Sequence, residues 1–121
     1  MTLIDAIKEA DRLKPNAFPT EDKLRWLERL ERRVRDEILL RCEGRAGETG
    51  ELSPDDLNAQ LQVPSPYDEM YIHWLCAQVA YFEEEYEAFN AANALFEAVY
   101  GRFRNAWYRE HRPLTGKKSC F

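Results

Sequence analysis

His73 and Cys76 stand three residues apart and would share one face of a helix, with Cys42, His111 and Cys120 as the residues that could complete a metal set. Zinc takes three or four converging ligands, usually supplied by closely spaced pairs such as Cys-x2-Cys. A lone His-x2-Cys inside an apolar run falls short of that, and a packed imidazole beside a buried thiol is the simpler account. Glu83, Glu84, Glu85 and Glu87 bring to mind the carboxylates of a di-iron bundle, but that site needs Glu-x-x-His on each of two facing helices. No Glu-x-x-His occurs in the chain. Consecutive glutamates also point in different directions on a helix, so a solvated acidic turn is expected. Nucleophile and phosphate motifs are missing: no Gly-x-Ser-x-Gly, no phosphate loop, no Gly-x-Gly-x-x-Gly. Cys42 or Cys76 would need an activating histidine, and both fall in apolar stripes, while nothing orients Ser119-Cys120. The expectation is no enzyme, no metal and no cofactor.

Recognition has a better candidate. Arg102, Arg104, Arg109, Arg112, Lys117 and Lys118 cluster near the C-terminal end, interleaved with Phe103, Trp107 and Tyr108. Arg102 and Arg109 are seven apart and share a helix face; Arg104 lies elsewhere. The plain account is a helix end, where cations complement the dipole. The functional accounts are an acidic protein surface or a DNA backbone passing close by. The chain supplies such an acidic surface itself. Residues 48–100 hold 11 Asp/Glu and no Lys or Arg, whereas residues 101–121 hold 6 Lys/Arg against Glu110 alone. Poles of opposite sign can pair within a subunit or between copies arranged head to tail. A net charge of −5 argues against general nucleic-acid binding, which needs a basic surface.

The elements that carry these groups are helical. Thr2 caps a short first helix whose Leu3, Ile4, Ile7 and Ala10 step by 3 and 4, and Lys14-Pro15-Asn16 ends it. Thr20 caps a second, with Glu21 and Asp22 in its first turn. Leu24, Leu27, Leu30 or Glu31, Val34, Ile38 and Cys42 form its apolar stripe over about six turns, stopping near Gly44. Gly44, Gly47 and Gly50 open a loop, about residues 44–62, expected to be mobile and to project from the body. Within it Ser53-Pro54-Asp55-Asp56 fits one or two helical turns through Gln60. Ser65 then caps a long third element with Pro66 at its first position.

Between Tyr67 and Tyr108 there is no proline, and one unbroken helix there would run about 60 Å, longer than a small domain. A tight turn or kink within Glu83–Phe89 is therefore expected, giving two antiparallel helices, the second ending at His111-Arg112-Pro113. Residues 114–121 are expected to form a flexible basic tail. The fold class is all-α: a small bundle of two long antiparallel helices, one further long helix and a short N-terminal one, in a single domain over residues 1–113.

Twelve of the fifteen aromatics lie between Tyr67 and Tyr108; they read first as the core of the bundle, and any face beyond what one small domain can cover would be an interface. Trp74, Phe82, Phe96 and Phe103 read as core. Tyr67, Tyr71, Tyr100 and Tyr108 join Arg102, Arg104, Arg109 and Arg112 as the candidate subunit or partner interface. No apolar stretch approaches the ~20 residues of a membrane span. Met1 to Lys14 lack the basic start and apolar block of a secretory signal, so an intracellular protein is expected. Three cysteines at wide spacings read as reduced thiols.

The run from Ala6 to Phe18, which contains Leu13-Lys14-Pro15-Asn16, is followed by Lys23 and Trp26-Leu27. A second run, Val63-Pro64-Ser65-Pro66-Tyr67-Asp68-Glu69-Met70-Tyr71, continues through Glu85-Tyr86 and Phe89-Asn90 to Phe96 and Trp107-Tyr108. Together they resemble small phage and prophage proteins of the head–tail connector family, also termed head-completion or portal-adaptor proteins. The resemblance covers most of the chain apart from the 44–62 loop and the tail. It implies an α-helical, non-catalytic subunit that forms a ring on the portal and bridges head to tail. Its implied partners are further copies of itself, the portal protein and the tail-completion protein, with DNA only as passing cargo and neither membrane nor small-molecule substrate. The implied location is the virion head–tail junction, and the bacterial cytoplasm before assembly. The alternative is a cytosolic bacterial helical adaptor that binds a protein partner through its aromatic face. A DNA-binding module and a metal-dependent enzyme stand behind both.

Overall fold

Thr2 opens helix α1 (Leu3–Leu13) with a reciprocal capping box: its hydroxyl accepts from the Asp5 N–H at 3.2 Å, and the Asp5 carboxylate accepts from the Thr2 N–H at 3.3 Å. The computed structural model describes residues 1–41 and 55–111. It continues with α2 (Thr20–Glu37), a 3-10 turn at Leu39–Arg41, α3 (Glu69–Phe82) and α4 (Tyr86–Glu110). Among the described residues there is no strand, only an isolated antiparallel bridge between Thr2 and Gln60. The protein is an all-α bundle.

Helix α1 stops where Lys14-Pro15-Asn16 was expected to stop it. The Asn16 side chain donates to the Lys14 carbonyl at 2.9 Å and accepts from the Phe18 N–H at 3.1 Å, holding the turn. At α2 the cap differs from expectation. Pro19 occupies the N-cap position and its carbonyl accepts from the Asp22 N–H at 3.1 Å, so Thr20 is the first helical residue and its side chain caps nothing. The far end differs too: α-helix ends at Glu37 rather than near Gly44. The Tyr108 hydroxyl, arriving from α4, donates to the Glu37 carbonyl at 2.8 Å, and the chain tightens into the 3-10 turn. Cys42 and Gly44 lie outside the described residues.

The second half of the expected mobile loop is packed. Leu57 and Ala59 carbonyls accept from the Ile4 and Leu3 N–H groups at 2.8 and 2.9 Å, and the Leu61 N–H donates to the Met1 carbonyl at 3.0 Å. These carbonyls satisfy donors that the first turn of α1 leaves without intrahelical partners. Leu61 and Val63 are buried in the core. Asp55 to Gln60 form turns rather than the helical turns expected there, because their carbonyls serve α1. The remainder of that loop, residues 44–54, lies outside the described residues. Helix α3 begins at Glu69, with Asp68 at its N-cap, not at the expected Ser65-Pro66. Residues 65–68 form a turn in which the Tyr67 N–H donates to the Pro64 carbonyl at 3.0 Å; the Ser65–Pro66 bond is cis.

The expected break between the long helices falls at Glu83–Glu85. The Glu85 N–H donates to the Ala80 carbonyl at 2.9 Å and the Glu84 N–H to the Tyr81 carbonyl at 3.1 Å, the paired bonds of a Schellman cap. Such a cap needs a left-handed residue, and here it is Glu84, at φ 60°. A side chain there costs about 1 kcal/mol against glycine. Glu84→Gly is therefore expected to stabilise the fold by about that much, raising the thermal midpoint by a few degrees in a calorimetric scan.

Helix α3 is central and packs on α1, α2 and α4. Leu3, Leu27, Leu30, Met70, Leu75 and Phe96 are fully buried around it. Helix α4 runs antiparallel to α3, as Tyr81 beside Phe89 and the Arg102–Glu69 ion pair at 3.7 Å show. Its buried residues are Phe96, Val99, Tyr100 and Phe103, with none in its first ten positions. No residue from Tyr81 to Leu95 is buried, so the turn end of the α3–α4 hairpin extends past the core.

Candidate functional site

Arg102, Arg104 and Arg109 are exposed along the second half of α4. Arg102 is 61% exposed even with its Glu69 partner, and a pair so wet adds little stability. Arg112, Lys117 and Lys118 lie outside the described residues, as does the 114–121 tail.

Two of the four tyrosines expected at the interface, Tyr71 and Tyr100, lie in the core instead. Tyr71 is fully buried, and its hydroxyl accepts from the Val63 N–H at 2.9 Å while donating to the Glu31 carboxylate. That carboxylate is itself buried, and it also accepts from the Gln62 N–H at 3.0 Å. Glu31 thus ties the 57–63 segment to α2 and α3, and burial with the neighbouring carboxylate holds the Tyr71 phenol well above its ordinary pKa. Tyr100 is buried too. Its hydroxyl donates to Glu37, and Arg33 lies over its ring at 4.4 Å from the centroid. Burial and the Glu37 bond raise its pKa well above normal. Burial pushes the Glu37 pKa up, but hydrogen bonds from Tyr100 and Arg33 outweigh it and bring the net value down. Tyr67 is half-buried against Phe103, and Tyr108, also half-buried, caps the end of α2. Tyr71 and Tyr100 are structural, and a tyrosine can lie in a core only when its hydroxyl finds such partners.

The exposed aromatic surface is at the other end of the hairpin. Tyr81, Phe82 and Tyr86 are 51%, 49% and 58% exposed. Phe82, assigned to the core from its spacing, stacks on Trp26 at 5.4 Å with the ring planes 9° apart. Phe18 lies edge-on to Trp26 at 5.5 Å, and Tyr81 touches both Phe82 and Phe89. This connected aromatic patch is bordered by Glu83, Glu84, Glu85 and Glu87, all exposed. Lys14 pairs with Glu85, and Lys23 is committed to Asp11 at 2.8 Å. The sequence signal was present: three glutamates set directly between Phe82 and Tyr86.

His73 and Cys76 are half-buried on α3, and burial pushes the Cys76 thiol pKa up, away from nucleophile chemistry. Cys42 and Cys120, the proposed completing residues, lie outside the described residues. His111 stacks on the Trp107 ring at 3.8 Å between centroids. Among the described residues no group of three or more His, Cys, Asp or Glu could hold a metal ion, and no helix is long and apolar enough to cross a membrane.

The geometry of this surface is that of a rod with a carboxylate-rimmed aromatic tip and a guanidinium-bearing far end. Tyr86 and Arg109 are 23 residues apart on one helix, about 35 Å. Comparison with family models, with curated proteins and with solved structures finds no match to the chain.

Proposed function

We propose that this protein is a structural subunit of a phage or prophage head–tail connector, assembling as a ring on the portal and bridging head to tail. The observation that carries the reading is the polarity of the α3–α4 hairpin: acidic and aromatic at the turn, basic at the far end of α4. A single rigid hairpin holds these poles about 35 Å apart, so they meet across copies rather than within one. Head-to-tail contacts that close by rotation make a ring. The two stretches resembling the connector family supply the viral context, with portal and tail-completion proteins as partners, DNA as passing cargo and the virion head–tail junction as the location.

Reversing charge with Arg102→Glu, Arg104→Glu and Arg109→Glu is expected to abolish self-association without unfolding the monomer, because all three side chains are exposed. Light scattering after size exclusion, over a concentration series with and without portal protein, reads this out. Co-elution with portal as a many-copy assembly supports the connector. Assembly unchanged by the reversals removes the electrostatic mechanism. The exposed Tyr81, Phe82 and Tyr86 favour one second reading, a bacterial adaptor that binds a host protein through this patch. It predicts a monomer or dimer that ignores portal.

A further inference from the structure

Fifteen consecutive residues, Tyr81 to Leu95, contribute nothing buried to the fold, yet they include Tyr81, Phe82, Tyr86, Phe89 and Leu95. Apolar area held out of the core in one place is the mark of a docking surface. Its charge restricts the occupant. Glu83, Glu84 and Glu87 have no ion-pair partner among the described residues, while Lys14 is engaged with Glu85 and Lys23 with Asp11. Ring faces beside carboxylates suit lysine and arginine side chains, whose cations settle over the aromatic face while their stems cover apolar surface.

We infer that the tip formed by Tyr81, Phe82 and Tyr86 with Glu84 and Glu87 receives the basic stretch around Arg109, Arg112, Lys117 and Lys118 from a second copy of the chain. This rests on the self-assembly reading above and names its contact. The same chain cannot supply the occupant. Lys118 lies seven residues beyond His111, a reach of about 25 Å at full extension, against about 35 Å of helix back to Tyr86. The contact is heterologous, since the two surfaces differ, and each pair of copies therefore keeps one free tip and one free basic stretch for further neighbours.

Two neutralised variants test it. The tip variant carries Glu84→Gln, Tyr86→Ser and Glu87→Gln; the basic-stretch variant carries Arg109→Ser, Lys117→Ser and Lys118→Ser. Circular dichroism confirms that each is folded. Each alone is expected to self-associate at least about tenfold more weakly than the wild type, the scale of losing an interface hot spot. Mixed in equal amounts, they should form a complex that stops at two copies, because one intact tip meets one intact basic stretch. Wild-type association by either variant, or a mixture that stays monomeric, overturns the contact. Portal binding is followed in the same runs. Portal-bound rings that survive the tip variant overturn this contact and leave the connector reading standing. A wild-type chain that neither self-associates nor binds portal overturns both.

Discussion

Tyr71→Phe is expected to lower the unfolding free energy by about 3 kcal/mol, although it removes a single oxygen. That oxygen serves two buried groups. It accepts from the N–H of Val63, which is 1% exposed, and donates to the carboxylate of Glu31, also 1% exposed. Each buried polar group that loses a partner costs about 1–3 kcal/mol, and more when it is charged. Phenylalanine fills the same volume, so little of the loss comes from packing. Urea denaturation should show the lowered midpoint with an unchanged slope, and the thermal midpoint should fall by roughly 10 °C or more. The pH profile carries a second signature. Tyr71 and Tyr100 have folded pKa values raised above their ordinary 10.0, chiefly by burial, and Lys14 is raised above 10.5 by its bond to Glu85. For all three the folded state holds a proton that the unfolded chain releases. Their stabilising contribution is whole below pH 10 and is lost as pH climbs toward the folded values. Glu37, lowered below 4.5, acts with the opposite sign, contributing above that pH and losing its contribution in acid. Stability should therefore fall above about pH 10, and the fall should be shallower in Tyr71→Phe, which lacks one of the three protons.

Much of the fold is legible in the sequence wherever local chemistry decides it. Thr2 with Asp5, the Pro15-Asn16 stop and the acidic break at Glu83–Glu85 are all set by residues a few positions apart. What escapes is decided by contacts across the chain. The stop of α2 at Glu37 depends on a hydroxyl at Tyr108, and the settling of residues 57–63 depends on the open donors of α1. The Leu30-or-Glu31 ambiguity resolves as both: each is buried, one by apolarity and the other by hydrogen bonds from Tyr71 and Gln62. The candidate site is legible in its charge and misread in its aromatics. Tyr100 follows Phe96 and precedes Phe103 at helical steps, so spacing places it inward. Reading its hydroxyl as a surface feature overlooks Glu37, which waits to accept it.

The aromatic spacing of α3 and α4 treats Phe82 and Phe96 alike, and their truncation to alanine is expected to separate them. Phe96 has no exposure, lies against Trp74 and Tyr100, and sits under the Arg33 guanidinium. Phe96→Ala should cost about 3–5 kcal/mol, combining lost transfer energy with a cavity that close-packed neighbours cannot fill. Phe82 is half exposed and has Trp26 beneath one face, so Phe82→Ala should cost about 1 kcal/mol, the stacking contribution plus part of its area. Chemical denaturation of the two variants measures the difference directly. A cost at Phe82 equal to that at Phe96 would make the hairpin tip part of the core and remove the surface that self-assembly requires. A small cost means the chain keeps phenylalanine at a position where folding gains little from it. An aromatic ring left half in water beside four carboxylates raises the risk of non-specific association in an isolated subunit. A partner that covers the ring and neutralises the charge accounts for both features at once, which folding alone does not.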